Sequence, residues 1–227
     1  AIAALDAGGA TARGLLRADP GGFTGRLGVT GTLAGDLAFI PVSGAQKIEA
    51  HLTANGASFP GILAVRSGRL DGTILLAEGR TSMDGVVDAR GLQMGGISFS
   101  RLIANARLVN GSGQVRAAFA GRRGAAFDFT TLANVTPDSI TFTGKGQIER
   151  RPLLLNQAAV LTRSGDGWQL APTALTFAGG RATLSGRSGS RPEVHAELRG
   201  MPLQILEIVS PGVGLSGLAT GRLDYAW

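Results

Sequence analysis

Apolar and polar residues alternate with a period of two through most of this chain. That feature constrains the fold more than any other, because successive side chains of a β-strand point to opposite faces of its sheet. Phe23, Leu27, Val29 and Leu33 take one parity, and Thr24, Arg26, Thr30 and Thr32 the other. Ile48, Ala50, Leu52 and Ala54 alternate with Lys47, Glu49, His51 and Thr53. Ile140, Phe142 and Ile148 oppose Thr141, Thr143, Lys145, Gln147 and Glu149, with Gly144 and Gly146 on the apolar side where a sheet can bend. Ala182 and Leu184 oppose Arg181, Thr183, Ser185 and Arg187. Val194, Ala196 and Leu198 oppose Glu193, His195, Glu197 and Arg199, and Leu223, Tyr225 and Trp227 oppose Arg222 and Asp224.

Less regular strands fit 62–66, 73–77, 84–90, 114–120, 126–131, 158–163 and 168–177. Turn signals stand between the strands: Asp19-Pro20-Gly21-Gly22, Asn55-Gly56, Asn110-Gly111, Pro137-Asp138 and Gly165-Asp166-Gly167. These hairpin-length connections predict an antiparallel meander. Only Pro202–Val209, and less clearly 97–107, have room for a helix, and Met201–Pro211 is the candidate joint between two sheet segments.

With 44% hydrophobic and 17% charged residues and a mean hydropathy of +0.17, the chain has the composition of a folded protein. Its 227 residues suffice for one large all-β unit or two ordinary domains. The lack of cysteine removes disulfides and Cys-based metal sites and fits an oxidising compartment. A net charge of +6 favours anionic partners. Nucleic acid is not the expected one, because the basic pairs Arg122-Arg123 and Arg150-Arg151 are not interleaved with aromatics. No stretch approaches the ~20 apolar residues of a spanning helix, and the first residues lack a basic signal-peptide region. Without an initiator Met, and with Trp227 inside a strand-like segment, the chain reads as a piece of a longer protein.

About fourteen strands at ~4.8 Å spacing make a sheet on the order of 65 Å across, and its dry face exceeds what soluble monomers leave exposed. The face must meet a second sheet, close into a barrel, or curl into a trough holding something apolar. A transmembrane barrel needs aromatic girdles, which one Tyr and two Trp do not supply. A sandwich fills ~10 Å between sheets with large side chains, whereas many inward positions here are Ala, Gly and Val. Small lining residues leave room for a guest.

The passage Leu198-Arg199-Gly200-Met201-Pro202-Leu203, then Pro211, then Leu215-Ser216-Gly217-Leu218-Ala219-Thr220-Gly221-Arg222-Leu223 resembles a recurrent segment of the TamB/AsmA-like translocation and assembly proteins. The strands from Phe23 to Gly35 and the run Leu108-Val109-Asn110-Gly111-Ser112-Gly113 are similar to that family's repeats. The resemblance implies an all-β fold: a long antiparallel meandering sheet curled into a half-pipe, the β-taco, with an apolar concave face. Residues 1–200 would form the curled segment, and 201–227 a short helical joint and the start of the next. It also implies a periplasmic segment of an inner-membrane-anchored envelope protein that conducts phospholipid acyl chains toward the outer membrane. A BamA-like outer-membrane partner would engage regions outside this stretch.

Catalytic chemistry finds no foothold. Gly212-Val213-Gly214-Leu215-Ser216-Gly217 matches G-x-G-x-x-G, but the residues after it alternate like a strand rather than opening a helix. His51 and His195 sit on wet faces near Glu49, Glu193 and Glu197, where they read as solvated strand residues rather than metal ligands. Asp84 and Asp88 share a wet face with nothing to enclose them for acid–base work. Arg26, Arg66, Arg69, Arg107, Arg116, Arg181 and Arg187 occupy outward positions, suited to lipid head groups or to guarding strands against aggregation. No enzyme activity, cofactor or metal site is expected. The candidate lipid-lining set is Phe23, Leu27, Val29, Leu33, Ile48, Leu52, Ile140, Phe142, Ile148, Leu184, Val194 and Leu198. The alternatives are a structural β-solenoid with a dry, self-filled core, or a scaffold that guides outer-membrane protein insertion through an edge strand.

Overall fold

The computed structural model describes residues 2–7, 9–209, 211–212 and 214–226, nearly all of them in antiparallel strands, as the alternation requires. Trp227, expected in the last strand, and Val213 of the glycine-rich match lie outside the described residues. Two compact units divide the chain, Ala1–Phe119 and Ala120–Trp227, whereas the sequence suggested a joint at 201. Among the described residues no helix is long and apolar enough to cross a membrane.

In the first unit each strand pairs antiparallel with the next: β1 (Ile2–Ala7), β2 (Ala10–Asp19), β3 (Gly22–Gly31), β4 (Leu33–Val42), β5 (Ala45–Phe59), β6 (Leu63–Ala77), β7 (Arg80–Met94) and β8 (Ile97–Val109). β9 (Ser112–Arg123) carries the chain across the division.

The second unit contains β10 (Ala125–Thr136), β11 (Ser139–Ile148), β12 (Arg151–Leu155), β13 (Ala159–Ser164), β14 (Gly167–Phe177), β15 (Gly180–Arg187), β16 (Glu193–Pro202) and β17 (Leu218–Ala226). β12 and β13 are two halves of one interrupted strand, since both lie between β11 and β14. The remaining strands pair in sequence order. A 3-10 turn, Leu203–Ile205, runs into a single helical turn, Leu206–Val209, where the sequence left room for a helix. β17 nevertheless returns to pair with β16, so the segment after 201 belongs to the second unit's sheet.

Cross-strand register turns the alternation into rows of apolar residues. In the first unit one row runs Leu16, Gly25, Phe39, Ile48, Ile74, Met83, Leu108 over seven strands. The next runs Gly14, Leu27, Leu37, Ala50, Gly72, Gly85, Ala106, and a third runs Ala12, Val29, Gly35, Leu52, Leu70, Val87, Ala104. Large side chains thus flank a central row that is mostly small. In the second unit Val135, Ile140, Leu161, Leu170, Gly186, Val194 and Tyr225 form a comparable row.

Strict alternation fails along one line across β5 to β8, and the structure gives the reason. Apolar positions step by three from Ala54 to Ala57, Val65 to Gly68, Ala89 to Leu92 and Phe99 to Leu102, and these residues are mutual cross-strand partners. At the step Gly56 and Gly91 take φ of 68° and 63°, left-handed values that let the strand swap faces and keep its apolar side continuous. Asn55-Gly56 is therefore a kink inside a 15-residue strand and not the expected hairpin turn. The step of three also mimics helical spacing, which is why 97–107 suggested a helix although it forms β8. Segments 62–66 and 73–77 likewise join in the single strand β6.

Gly35 marks a close approach of two strands. With φ of 138°, a Cβ there would lie in the sheet plane against the His51 carbonyl oxygen of β5, so no other residue fits without moving a strand.

Candidate functional site

The chemistry-free side of the sheet carries the site. Between the rows of the first unit, β5 to β8 enclose a hollow of about 220 Å³, with Ile48, Leu70, Ile74, Met83 and Val87 as walls and Ala50, Gly72, Gly85 and Ala106 as its small-residue floor. A second hollow of about 310 Å³ shares Leu70 and Val87 and extends to Leu52, Phe59, Leu63, Val65, Leu92 and Leu102. The two are therefore contiguous on one concave apolar face. No described residue of the unit covers it: Ile74, Leu70, Met83 and Leu76 keep 37%, 38%, 39% and 43% of their surface exposed. Soluble sheets ordinarily bury such neighbours, because each apolar Å² left in water costs ~25 cal/mol.

All twelve sequence-derived lining residues lie on the apolar faces, six in each unit. In the first, Leu27 and Val29 are buried with Ala10 and Ala12 in a small core, against which Leu33 and Leu52 pack. Ile48 lines the smaller hollow, and Leu33 and Leu52 the larger. Phe23 is 51% exposed, and its N–H donates to Gln46 Oε1 at 2.5 Å. In the second unit Ile148 is buried, Ile140, Phe142, Leu184 and Leu198 are half-buried, and Val194 is exposed. Phe142 lies opposite Ala133 and Ala159, and Leu198 opposite Ala182 and Gly221.

Sequence reasoning missed Leu70, Ile74, Met83 and Val87, the centre of the hollow. They belong to the strands whose parity is broken by the three-residue step. The available signal was the pair of glycines, Gly56 and Gly91, standing inside apolar runs.

The opposite face is a lattice of ion pairs. His51 Nδ1 meets Asp71 Oδ1 at 2.8 Å, and Arg69 also bonds Asp71. The Arg69 guanidinium, then His51, hold the Asp71 carboxyl down to about 2. Arg107 meets Asp84 at 2.6 Å and Arg26 meets Asp36 at 3.7 Å, while Asp88 lies opposite Arg69 in register. In the second unit Arg187 pairs with Glu193 at 3.2 Å, Arg222 with Glu197 at 2.9 Å and His195 Nδ1 with Asp224 at 2.6 Å. The hydrogen bond that the His195 N–H donates to the Asp224 carboxylate, aided by the charges of Asp224 and Glu193, raises the His195 pKa.

Among the described residues no three His, Asp or Glu side chains converge as a metal site would require. The glycine-rich loop before β17 is tied down internally: the N–H groups of Gly212 and Gly214 donate to the Glu207 carboxylate at 2.9 and 2.6 Å, lowering its pKa. A strand follows the loop, not the helix that a dinucleotide site needs.

No family model matches the chain, and no curated protein or solved structure matches it either.

Proposed function

We propose that this chain is a non-catalytic, periplasmic segment of a bridge-like envelope protein, whose uncovered apolar face carries phospholipid acyl chains between inner and outer membrane. The observation that supports this most is the pair of contiguous hollows over β5 to β8, in whose apolar walls Leu70, Ile74 and Met83 stay more than a third exposed. An apolar face left open in this way needs an apolar guest. A transported chain meets that need while a filled core does not.

Each CH₂ of an acyl chain costs ~0.8 kcal/mol in water, so two sixteen-carbon chains face a barrier on the order of 20 kcal/mol. A continuous apolar track removes most of that barrier. Shallow, near-equivalent contacts on Ile48, Ile74, Met83 and Val87 suit movement, because a deep pocket would hold the lipid in place. Head groups would stay in water at the rim. The sequence resemblance to the TamB/AsmA-like proteins supports the same reading, and with it an outer-membrane BamA-like partner engaged through other regions.

The test is organic extraction and lipid mass spectrometry of the purified chain, with uptake of a fluorescent phospholipid as the second readout. Co-purifying phospholipid and saturable uptake are expected. Bare protein that takes up no probe would leave the structural β-solenoid as the better reading.

A further inference from the structure

The polar side of the first unit balances its charges strand against strand. His51 faces Asp71 in register, Arg69 faces Asp88, and Asp84 faces Arg107. One row departs from this. Asn55, Ser67, Arg90 and Arg101 lie opposite one another across β5 to β8, so Arg90 and Arg101 are direct cross-strand partners of like charge. Side chains so opposed have Cβ atoms ~4.5–5.5 Å apart, where like charges repel and weaken the sheet.

A third arginine joins them. Arg66 precedes Ser67 on β6, inside the same three-residue step that holds Arg90-Gly91 on β7 and Ser100-Arg101 on β8. A Cβ on Gly91 would come within 2.8 Å of Arg66 Cβ, 3.1 Å of its Nε and 3.4 Å of its Cζ, so the Arg66 side chain runs over the bare backbone next to Arg90. All three arginines are exposed, and among the described residues none has an ion pair or a side-chain hydrogen bond. Asp88, the acidic residue closest to Arg90 along β7, lies one row away, opposite Arg69. Guarding against aggregation does not explain the cluster, because that task falls to edge strands and β7 is paired on both sides.

An anion would turn this repulsion into binding. The row supplies guanidinium, hydroxyl and amide donors and no carboxylate. A dianionic phosphate has three terminal oxygens and close to two charges, enough to occupy more than one arginine fork, whereas a carboxylate brings two oxygens and one charge.

We propose that Arg66, Arg90 and Arg101 form a binding site for a phosphate monoester group, held between the forks of Arg90 and Arg101, with Arg66 and the Ser67 hydroxyl completing the donors from β6. A lipid head group of the phosphatidic acid type and a soluble phosphate carry the same chemistry. The site stands on the polar side of the sheet and does not rest on what the apolar face carries.

The test compares the full chain in chloride and in inorganic phosphate at equal pH and ionic strength. Phosphate should raise the melting temperature saturably. Isothermal titration should show binding that Arg90→Gln and Arg101→Gln each weaken roughly tenfold or more. Arg101→Glu should melt higher than the unaltered chain in chloride, because it replaces a like pair by an opposite one, and should lose the response to phosphate. Arg107→Gln breaks an ordinary ion pair and should keep that response. Flotation with phosphatidylcholine vesicles, with and without phosphatidic acid, separates the sources: extra recovery with phosphatidic acid that the Arg90 and Arg101 variants lose assigns the site to a lipid head group, and a phosphate response without it assigns the site to a soluble ligand. Circular dichroism reports whether the variants keep their strands, and if Arg101→Glu does not, the two glutamine variants decide. The proposal is overturned by no response to either phosphate source, by a response that survives in folded Arg90 and Arg101 variants or disappears equally in Arg107→Gln, or by a folded Arg101→Glu protein that melts lower in chloride.

Discussion

Replacing Gly72 with phenylalanine should make the protein more stable while it blocks the apolar track. Gly72 lies on the floor of the smaller hollow, opposite Ala50 and Gly85. A Cβ built there would have the Asp84 carbonyl oxygen as its nearest neighbour at 3.4 Å and Gly85 Cα at 3.7 Å, so the backbone accepts a side chain without strain. The hollow of about 220 Å³ is larger than the ~150 Å³ cavity that accommodates benzene, so a phenyl ring fits. Burying roughly half of a phenylalanine, about 100 Å² at ~25 cal/mol per Å², contributes about 2.5 kcal/mol. Removing a strand glycine adds ~0.5–1 kcal/mol, and ordering the ring costs about as much again. The net gain of about 2.5 kcal/mol should raise the melting temperature by about 7 °C. Lipid content after extraction should fall at the same time. In a filled core the same ring would overpack and cost ~1–3 kcal/mol. Thermal melting together with lipid mass spectrometry separates the two cases. A Gly72→Phe protein that melts lower, or that melts higher yet carries the wild-type lipid load, would refute the reasoning.

Ile74→Arg should fold nearly normally and lose lipid uptake, since a residue 37% exposed lets the guanidinium reach water, whereas Phe177→Arg, at a site 1% exposed, should fail to fold; circular dichroism and probe uptake compare them. Gly35→Ala should cost ~1–3 kcal/mol in denaturant titration, because φ of 138° directs its Cβ into the His51 carbonyl; a midpoint equal to wild type would deny the close approach its structural role. Stability should also change with pH at both ends. The Asp71 carboxyl, lowered from 3.8 to about 2, contributes in full above 3.8 and its contribution disappears as pH falls toward 2, so Asp71→Asn should flatten the acid limb of a melting-temperature profile. His195 is raised above 6.5, so its contribution is complete below 6.5 and is lost as pH rises through the raised value; His195→Gln should remove that neutral-to-alkaline decline.

The faces of the sheet were legible in the sequence wherever alternation is unbroken. Phe23 to Leu33, Ile48 to Ala54, Ile140 to Ile148 and Val194 to Leu198 could be assigned before any coordinates, because side-chain direction on a strand is a local property of period two. The turns at Asp19-Pro20-Gly21-Gly22, Asn110-Gly111 and Pro137-Asp138 were legible for the same reason: their backbone demands are met by the residues themselves.

What only the tertiary structure decided depends on neighbours distant in sequence. Whether Asn55-Gly56 closes a hairpin or kinks one long strand is settled by Gly91 and Arg66 on the adjoining strands, which place the same step in register across four strands. The hollow at Ile48, Ile74, Met83 and Val87 exists because residues 48 to 106 bring large and small side chains into separate rows, and row membership is set by hairpin register rather than by local pattern. The division at Phe119 and Ala120 falls inside β9, where the sequence changes neither composition nor period, so nothing local marks it. Alternation fixes which way a side chain points, and pairing between strands fixes what it meets.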